Sequence, residues 1–141
     1  MQEYIEFIGE NPFLFLALLA TLGLILFTEF QRLGRKFKEI TPTQATLLQN
    51  NEDAILLDIR EAKDFQAGHI TGAKHMPADQ LSDKISTLAS YKQSPLIVYC
   101  QMGNRSHRAC NLLIKEGFAK VYSIAGGVMG WQKADLPLVK G

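Results

Sequence analysis

Cysteine is scarce in this chain of 141 residues, and the two present, Cys100 and Cys110, stand ten positions apart. Two thiols do not make the disulfide framework of a small secreted domain, and no Cys-x-x-Cys pair offers zinc ligands. A reducing compartment follows. Net charge is nearly absent as well: 15 basic residues against 14 acidic ones give +1. That leaves no broad positive field for nucleic acid as a main partner. With 47% apolar residues and so little net charge, extended disorder is excluded. There is no internal repeat and no low-complexity segment, and the length suits one domain of about 100–200 residues.

Charge is missing altogether from residues 11–28, whose apolar run Phe13-Leu14-Phe15-Leu16-Ala17-Leu18-Leu19-Ala20 continues through Leu22, Leu24, Ile25, Leu26 and Phe27. As a helix this stretch covers about 27 Å, close to the roughly 30 Å hydrocarbon core of a bilayer. It lacks the basic start and small-residue cleavage site of a signal peptide, since Glu3, Glu6 and Glu10 precede it and Phe27-Thr28-Glu29-Phe30 end it. It also lacks the polar face of a core helix. A retained transmembrane helix over 11–28 is expected, with the lipid bilayer as its partner. Arg32, Arg35, Lys36 and Lys38 follow the span, and basic flanks stay cytoplasmic. Residues 1–10 are therefore read as a short extracytoplasmic amino terminus and 29–38 as a basic juxtamembrane linker. Residues 39–141 become a cytoplasmic domain held on the inner membrane. Ala17 and Thr21 make only a weak small-xxx-small pair, insufficient for a dimer.

Short apolar runs alternate with helical stretches across 39–141, the pattern of an α/β fold with a largely parallel sheet. Thr41-Pro42-Thr43-Gln44 predicts a helix start with Thr41 as N-cap, Pro42 first and Gln44 closing the capping box. Strands are expected at 54–58, 73–76, 95–100 and 120–124, and helices at about 41–50, 62–66, 81–91 and 105–116, the last closed by Gly117. Gly126-Gly127 opens a final helix near Trp131.

The chemically informative stretch is Cys100-Gln101-Met102-Gly103-Asn104-Arg105-Ser106, between a predicted strand end and a predicted helix start. Open α/β sheets bind ligands at strand carboxyl ends. Amides of a tight loop and the positive end of a helix can converge there on an anion. Gly103 supplies backbone freedom and Arg105 a fixed positive charge. A thiol so placed should ionise more readily than a free one, which makes Cys100 a candidate nucleophile. Cys110 falls among Ala109, Leu112 and Leu113 and reads as core. His69 reads as a structural histidine, and His75 and His107 show no metal spacing with it, so no metal is expected. Asp58 and Arg60 read as a structural network with Asp64, Arg108 as a solvated charge, and Met129 and Trp131 as packing.

These residues, taken in order, resemble the rhodanese family of sulfurtransferases. Asp58-Ile59-Arg60 with Asp64-Phe65, Gly68-His69-Ile70 and Gly72-Ala73 is similar to its first signature. Cys100 to Ser106 is similar to its Cys-x-x-Gly-x-Arg-Ser active-site loop, and Gly126-Gly127 with Trp131 to its closing motif. Asp64 and His75 stand where the family usually has Glu and Asn. The resemblance implies a central five-stranded parallel sheet between helices and a cofactor-free chemistry. In it the Cys100 thiolate takes a sulfane sulfur from a small donor such as thiosulfate and yields it to a thiol acceptor, with residues 101–106 binding the substrate. Two other readings stay open. A phosphatase or arsenate reductase also uses Cys, amide loop and Arg, but generally with five residues between Cys and Arg, where this chain has four. A catalytically idle module of the same fold would instead hold a membrane-protein or sulfur-carrier partner.

Overall fold

The apolar strands form because every second residue has a separate core to fill. In a computed structural model, which describes residues 1–33 and 37–141, strand β4 (Pro95–Tyr99) is buried throughout. Its Leu96 and Val98, with Cys100 beyond, enter one hydrophobic core, while Ile97 and Tyr99 enter the other. Successive side chains of a strand point to opposite faces, and helices cover both faces here, so the run is continuously apolar. Strand β2 (Ile55–Asp58) behaves alike, with Leu57 in the first core and Leu56 in the second.

The chain divides into two compact units, Met1–Arg35 and Lys36–Gly141. The first holds α1 (Gln2–Glu10) and α2 (Pro12–Leu33), separated at Asn11. Helix α1 falls in the stretch expected only as a short amino terminus, and α2 runs past the expected span of 11–28. Arg35 and Lys36 of the basic cluster lie outside the described residues.

The second unit is a five-stranded sheet of order β1-β5-β4-β2-β3, parallel throughout. Besides β2 and β4 it contains β1 (Lys38–Ile40), β3 (Lys74–His75) and β5 (Lys120–Ile124). Helices α3 (Pro42–Glu52) and α7 (Gly127–Lys133) supply Ala45, Val128 and Trp131 to one core. Helix α6 (Asn104–Lys115) supplies Ala109, Cys110 and Leu113 to the other. Short helices α4 (Ala62–Ala67) and α5 (Leu81–Lys84) complete the connections, α5 continuing as a 3-10 helix at Ile85–Tyr91, so the helical stretch expected over 81–91 is made of two helix types. The capping box forms as read: Gln44 N donates to Thr41 Oγ1 at 3.2 Å and Thr41 N to Gln44 Oε1 at 2.9 Å. Gly117 adopts φ +96° past the end of α6.

Strand β1 escaped the element-by-element reading, which assigned Lys38 to the linker. It is only three residues long and pairs at an edge, Lys38 opposite Tyr122 and Ile40 opposite Ile124. Just before it, Phe37 is 5% exposed inside the first core and lies 5.2 Å from the His107 ring, while Glu39 pairs with His107. A fragment beginning at Lys36 should therefore be more stable than one beginning at Glu39 by about 2–3 kcal/mol, the worth of a buried Phe. Urea denaturation of the two fragments checks this, and equal midpoints would deny Phe37 its place in the core.

Candidate active site

The sheet order places a crevice where ligands bind. From β2 the chain crosses to β3 on one side, and from β4 to β5 on the other, so the carboxyl ends of β2 and β4 flank the topological switch point. Cys100 follows β4 there, and Arg60 follows β2.

Cys100 is 2% exposed. Its Sγ accepts the Gly103 amide at 3.0 Å, closing a tight loop at the start of α6. Gly103 makes the turn at φ +101°, a region glycine enters without cost. The loop rests on α7: Val128 N donates to Cys100 O at 2.9 Å and Met129 N to Gln101 O at 3.2 Å. These two bonds satisfy amides at the start of a helix that has no side-chain cap. In a trans peptide N–H and C=O point oppositely. The amides of Gln101 and Met102 therefore face away from α7, and neither has an acceptor among the described residues.

Gly127 permits this contact, because a Cβ there would stand 2.3 Å from Cys100 O. Below the loop, Ser106 Oγ donates to Gly103 O at 2.8 Å and lies 2.7 Å from Ser123 Oγ. With the Ser106 proton committed to Gly103, the Ser123 hydroxyl donates. Both serines are buried. Arg105 and Asn104 are exposed on the first turn of α6 and line a groove of about 690 Å³, while Met102 stands exposed at the loop tip.

Arg60 ties the first signature to the loop. It is 6% exposed, and Asp58, 0% exposed, takes its Nη2 at 2.7 Å and its Nε at 3.0 Å. Nη2 also donates to Gly68 O at 2.6 Å and Nη1 to Gln101 Oε1 at 3.3 Å. Burial alone would lower the Arg60 pKa, but the hydrogen bonds and charge of Asp58, with Tyr99 and Asp64 adding, hold it above its ordinary value. Asp64, read as a partner in this network, contributes through its charge and makes no direct side-chain bond to Arg60. The Gln101 side chain thus turns onto Arg60.

His69 Nδ1 donates to Phe65 O at 2.9 Å, and its ring stacks on Phe65 at 3.9 Å. His75 covers the other contact of Phe65 at 4.6 Å and donates from Nε2 to Arg60 O at 2.8 Å. Each bond to a carbonyl fixes a protonated nitrogen. Among the described residues no cluster of three His, Cys, Asp or Glu could ligate a metal.

Three groups escaped the sequence reading: Ser123, the clamping role of His75, and Gly127 as a seat for the loop. A lone hydroxyl at an inward position of the apolar strand β5 is the signal that could have found Ser123.

Cys110 is fully buried, its Sγ 3.6 Å from Tyr122 O. Burial foremost, then the charges of Cys100 and Glu39, push its pKa up. Burial, then the Asp58 charge, do the same for the Tyr99 phenol. Both groups keep in the native state protons that the unfolded chain releases above about pH 8.5 for Cys and about pH 10 for Tyr. Their stabilisation is complete below those values and declines progressively as pH rises from them toward the raised native values. Urea midpoints should fall from about pH 8.5 upward, and Cys110→Ala should lack the first part of that fall. An identical pH profile in the variant would contradict the burial of Cys110.

Residues 41–134 match the family model described as Rhodanese-like domain. The uncharacterized protein YibN of Escherichia coli K12 is 39% identical over 100% of this chain and 99% of its own length. The thiosulfate sulfurtransferase GlpE of Pseudomonas putida GB-1 is 41% identical over 69% of this chain and 86% of its own. A solved rhodanese-related protein from Thermoplasma volcanium shares the fold with a TM-score of 0.65 at 27% identity, covering 74% of this chain and 100% of that one. With the family model matched over residues 41–134 and relatives about 40% identical over most of their own length, the chain belongs to the rhodanese-like family.

Proposed function

We propose that this protein is a membrane-anchored sulfurtransferase that carries a sulfane sulfur on Cys100 from a donor such as thiosulfate to a thiol acceptor. The family and the likeness to GlpE support sulfurtransferase-type function. The observation that carries the chemistry is the Gly103 amide donated to Cys100 Sγ within a loop that turns further amides away from α7.

The Cys100 thiolate attacks the outer sulfur of thiosulfate, the S–S bond breaks, and sulfite leaves with the bonding pair. An acceptor thiolate then attacks the outer sulfur of the Cys100 persulfide, and Cys100 regains its thiolate. Both forms are anionic at the same place, so fixed amide dipoles and the Arg105 charge serve each step without proton transfer. Four residues between Cys100 and Arg105 make a ring suited to a single sulfur rather than to the several oxygens of a phosphoryl or arsenate group. The idle-module reading loses weight because Cys100, Gly103, Arg105 and Ser106 are all kept.

The stretch Pro12–Phe30 of α2 is long and apolar enough to cross a bilayer, and none of it is buried. Acidic residues before it and basic ones after it favour a cytoplasmic domain on the inner membrane.

Incubating the full-length protein with thiosulfate should add one sulfur to Cys100 in its intact mass, and a thiol should remove it. Protease added to spheroplasts should spare the domain until the membrane is broken. Failure of Cys100 to gain sulfur would overturn the sulfurtransferase reading, and digestion in unbroken spheroplasts would reverse the orientation.

A further inference from the structure

Helix α1 has no part in the chemistry, and its side chains divide cleanly by polarity. At 3.6 residues per turn, Tyr4, Ile5, Phe7 and Ile8 occupy an arc of about 160°, and Glu3, Glu6 and Glu10 an arc of about 60° on the other side. All four apolar side chains are exposed, and no residue of α1 is buried. The break that ends α1 is written in the sequence. Asn11 precedes Pro12, a place where the helical region is disfavoured, and it takes φ −128° and ψ 52°. Its backbone and side-chain amides both donate to Phe7 O, at 3.1 and 3.2 Å, and finish the last turn of α1 there.

Resting on the membrane-anchored reading, we infer that α1 is an interfacial helix lying along the outer surface of the bilayer. Its stripe of Tyr4, Ile5, Phe7 and Ile8 sits at the boundary of headgroups and acyl chains, and its three glutamates face water. What covers the stripe follows from what adjoins it. Pro12–Phe30 has 19 residues, about 28 Å as a helix, which fills the roughly 30 Å hydrocarbon core. An α1 continuing in line would stand in water with the whole stripe solvated, whereas a turn at Asn11 takes the stripe out of water. Only Asn11 separates the two helices, so the span holds α1 at the surface as an intramolecular ligand. The tether matters because an acidic face gains nothing from anionic lipid, unlike the basic faces usual in such helices. Tyr4 suits the place, having an apolar ring and a polar hydroxyl. Laid flat, α1 anchors one end of α2 and limits its sliding through the bilayer.

The test reconstitutes the full-length protein in phosphatidylcholine vesicles brominated either near the headgroup or near the chain end, with acrylamide as the aqueous quencher. Tyr4→Trp and Phe7→Trp report on α1, and Leu22→Trp on the middle of α2. Trp131, 5% exposed inside the domain, gives a background that is subtracted with the unsubstituted chain. The α1 indoles should lose more emission to shallow than to deep bromine, as a seat about 5–10 Å into the boundary requires. Leu22→Trp should show the reverse. Adding Ile5→Glu and Ile8→Glu to Phe7→Trp should remove most of the shallow quenching and open the indole to acrylamide; quenching unmoved by the two charges would overturn the stripe. Quenching of the α1 indoles by acrylamide and not by bromine would overturn the interfacial seat while leaving the anchor standing. Protection from both quenchers would overturn it in favour of a second copy covering the stripe. A Leu22→Trp that deep bromine does not reach would instead remove the anchor on which the inference rests.

Discussion

Cys100→Ser in the full-length chain should cut sulfur transfer from thiosulfate to cyanide by at least about a thousandfold, the scale on which removal of a covalent nucleophile is felt. The fold should survive. Serine is smaller than cysteine by the difference between oxygen and sulfur, and its Oγ can still accept the Gly103 amide that Cys100 Sγ accepts at 3.0 Å. What disappears is the soft thiolate, because a serine hydroxyl stays protonated at working pH and forms no persulfide. Cys110→Ala is the matched control. That thiol sits fully buried in the core, so its loss should lower stability by about 1–2 kcal/mol and leave most of the activity. Steady-state transfer rates, with circular dichroism on both proteins, decide the matter. A folded Cys110→Ala as inactive as Cys100→Ser would give the second cysteine a chemical part, and an active Cys100→Ser would end the proposed mechanism.

The parts of this molecule that were legible in its sequence are those where a local signal and the tertiary demand coincide. Thr41 and Gln44 cap a helix through atoms three residues apart, and a local spacing announces a local bond. Pro95–Tyr99 reads as a buried strand because both faces of the sheet are covered, so no polar residue interrupts it. The loop from Cys100 to Ser106 is likewise contiguous. Strand β1 is different: three residues at an edge carry no periodicity to detect, and their pairing partners Tyr122 to Ile124 lie over 80 positions away. Ser123 belongs to the site only through Ser106, 17 residues earlier. The network of Arg60 was half legible, since Asp58 lies two residues away while Gln101 lies 41 away. Asp64 was the natural guess for a third member because it is near in sequence, yet the fold turns the guanidinium to Gly68 O and Gln101 instead.

That network carries the second large effect. Asp58→Ala should destabilise the domain by about 3–5 kcal/mol, because it leaves the Arg60 guanidinium buried without its counter-charge. Asp58 is 0% and Arg60 6% exposed, so little water can take the place of the lost carboxylate. Arg60→Met should cost a similar amount for the converse reason: a buried carboxylate loses its cation, and Gly68 O loses its 2.6 Å donor. The double variant should cost clearly less than the sum, since with both charges gone neither is stranded, and a cycle of the four proteins would read the coupling directly. Sulfur transfer adds a second signature. Gln101 is held to Arg60 at 3.3 Å, so Arg60→Met should slow the Cys100 reaction at temperatures where the variant is still folded, whereas a purely structural pair would leave the rate of the folded fraction unchanged. Urea titrations and single-turnover rates on the same preparations test both halves. Additive single costs would deny the Asp58–Arg60 pair its coupling, and a folded Arg60→Met with undiminished transfer would detach the pair from the active-site loop.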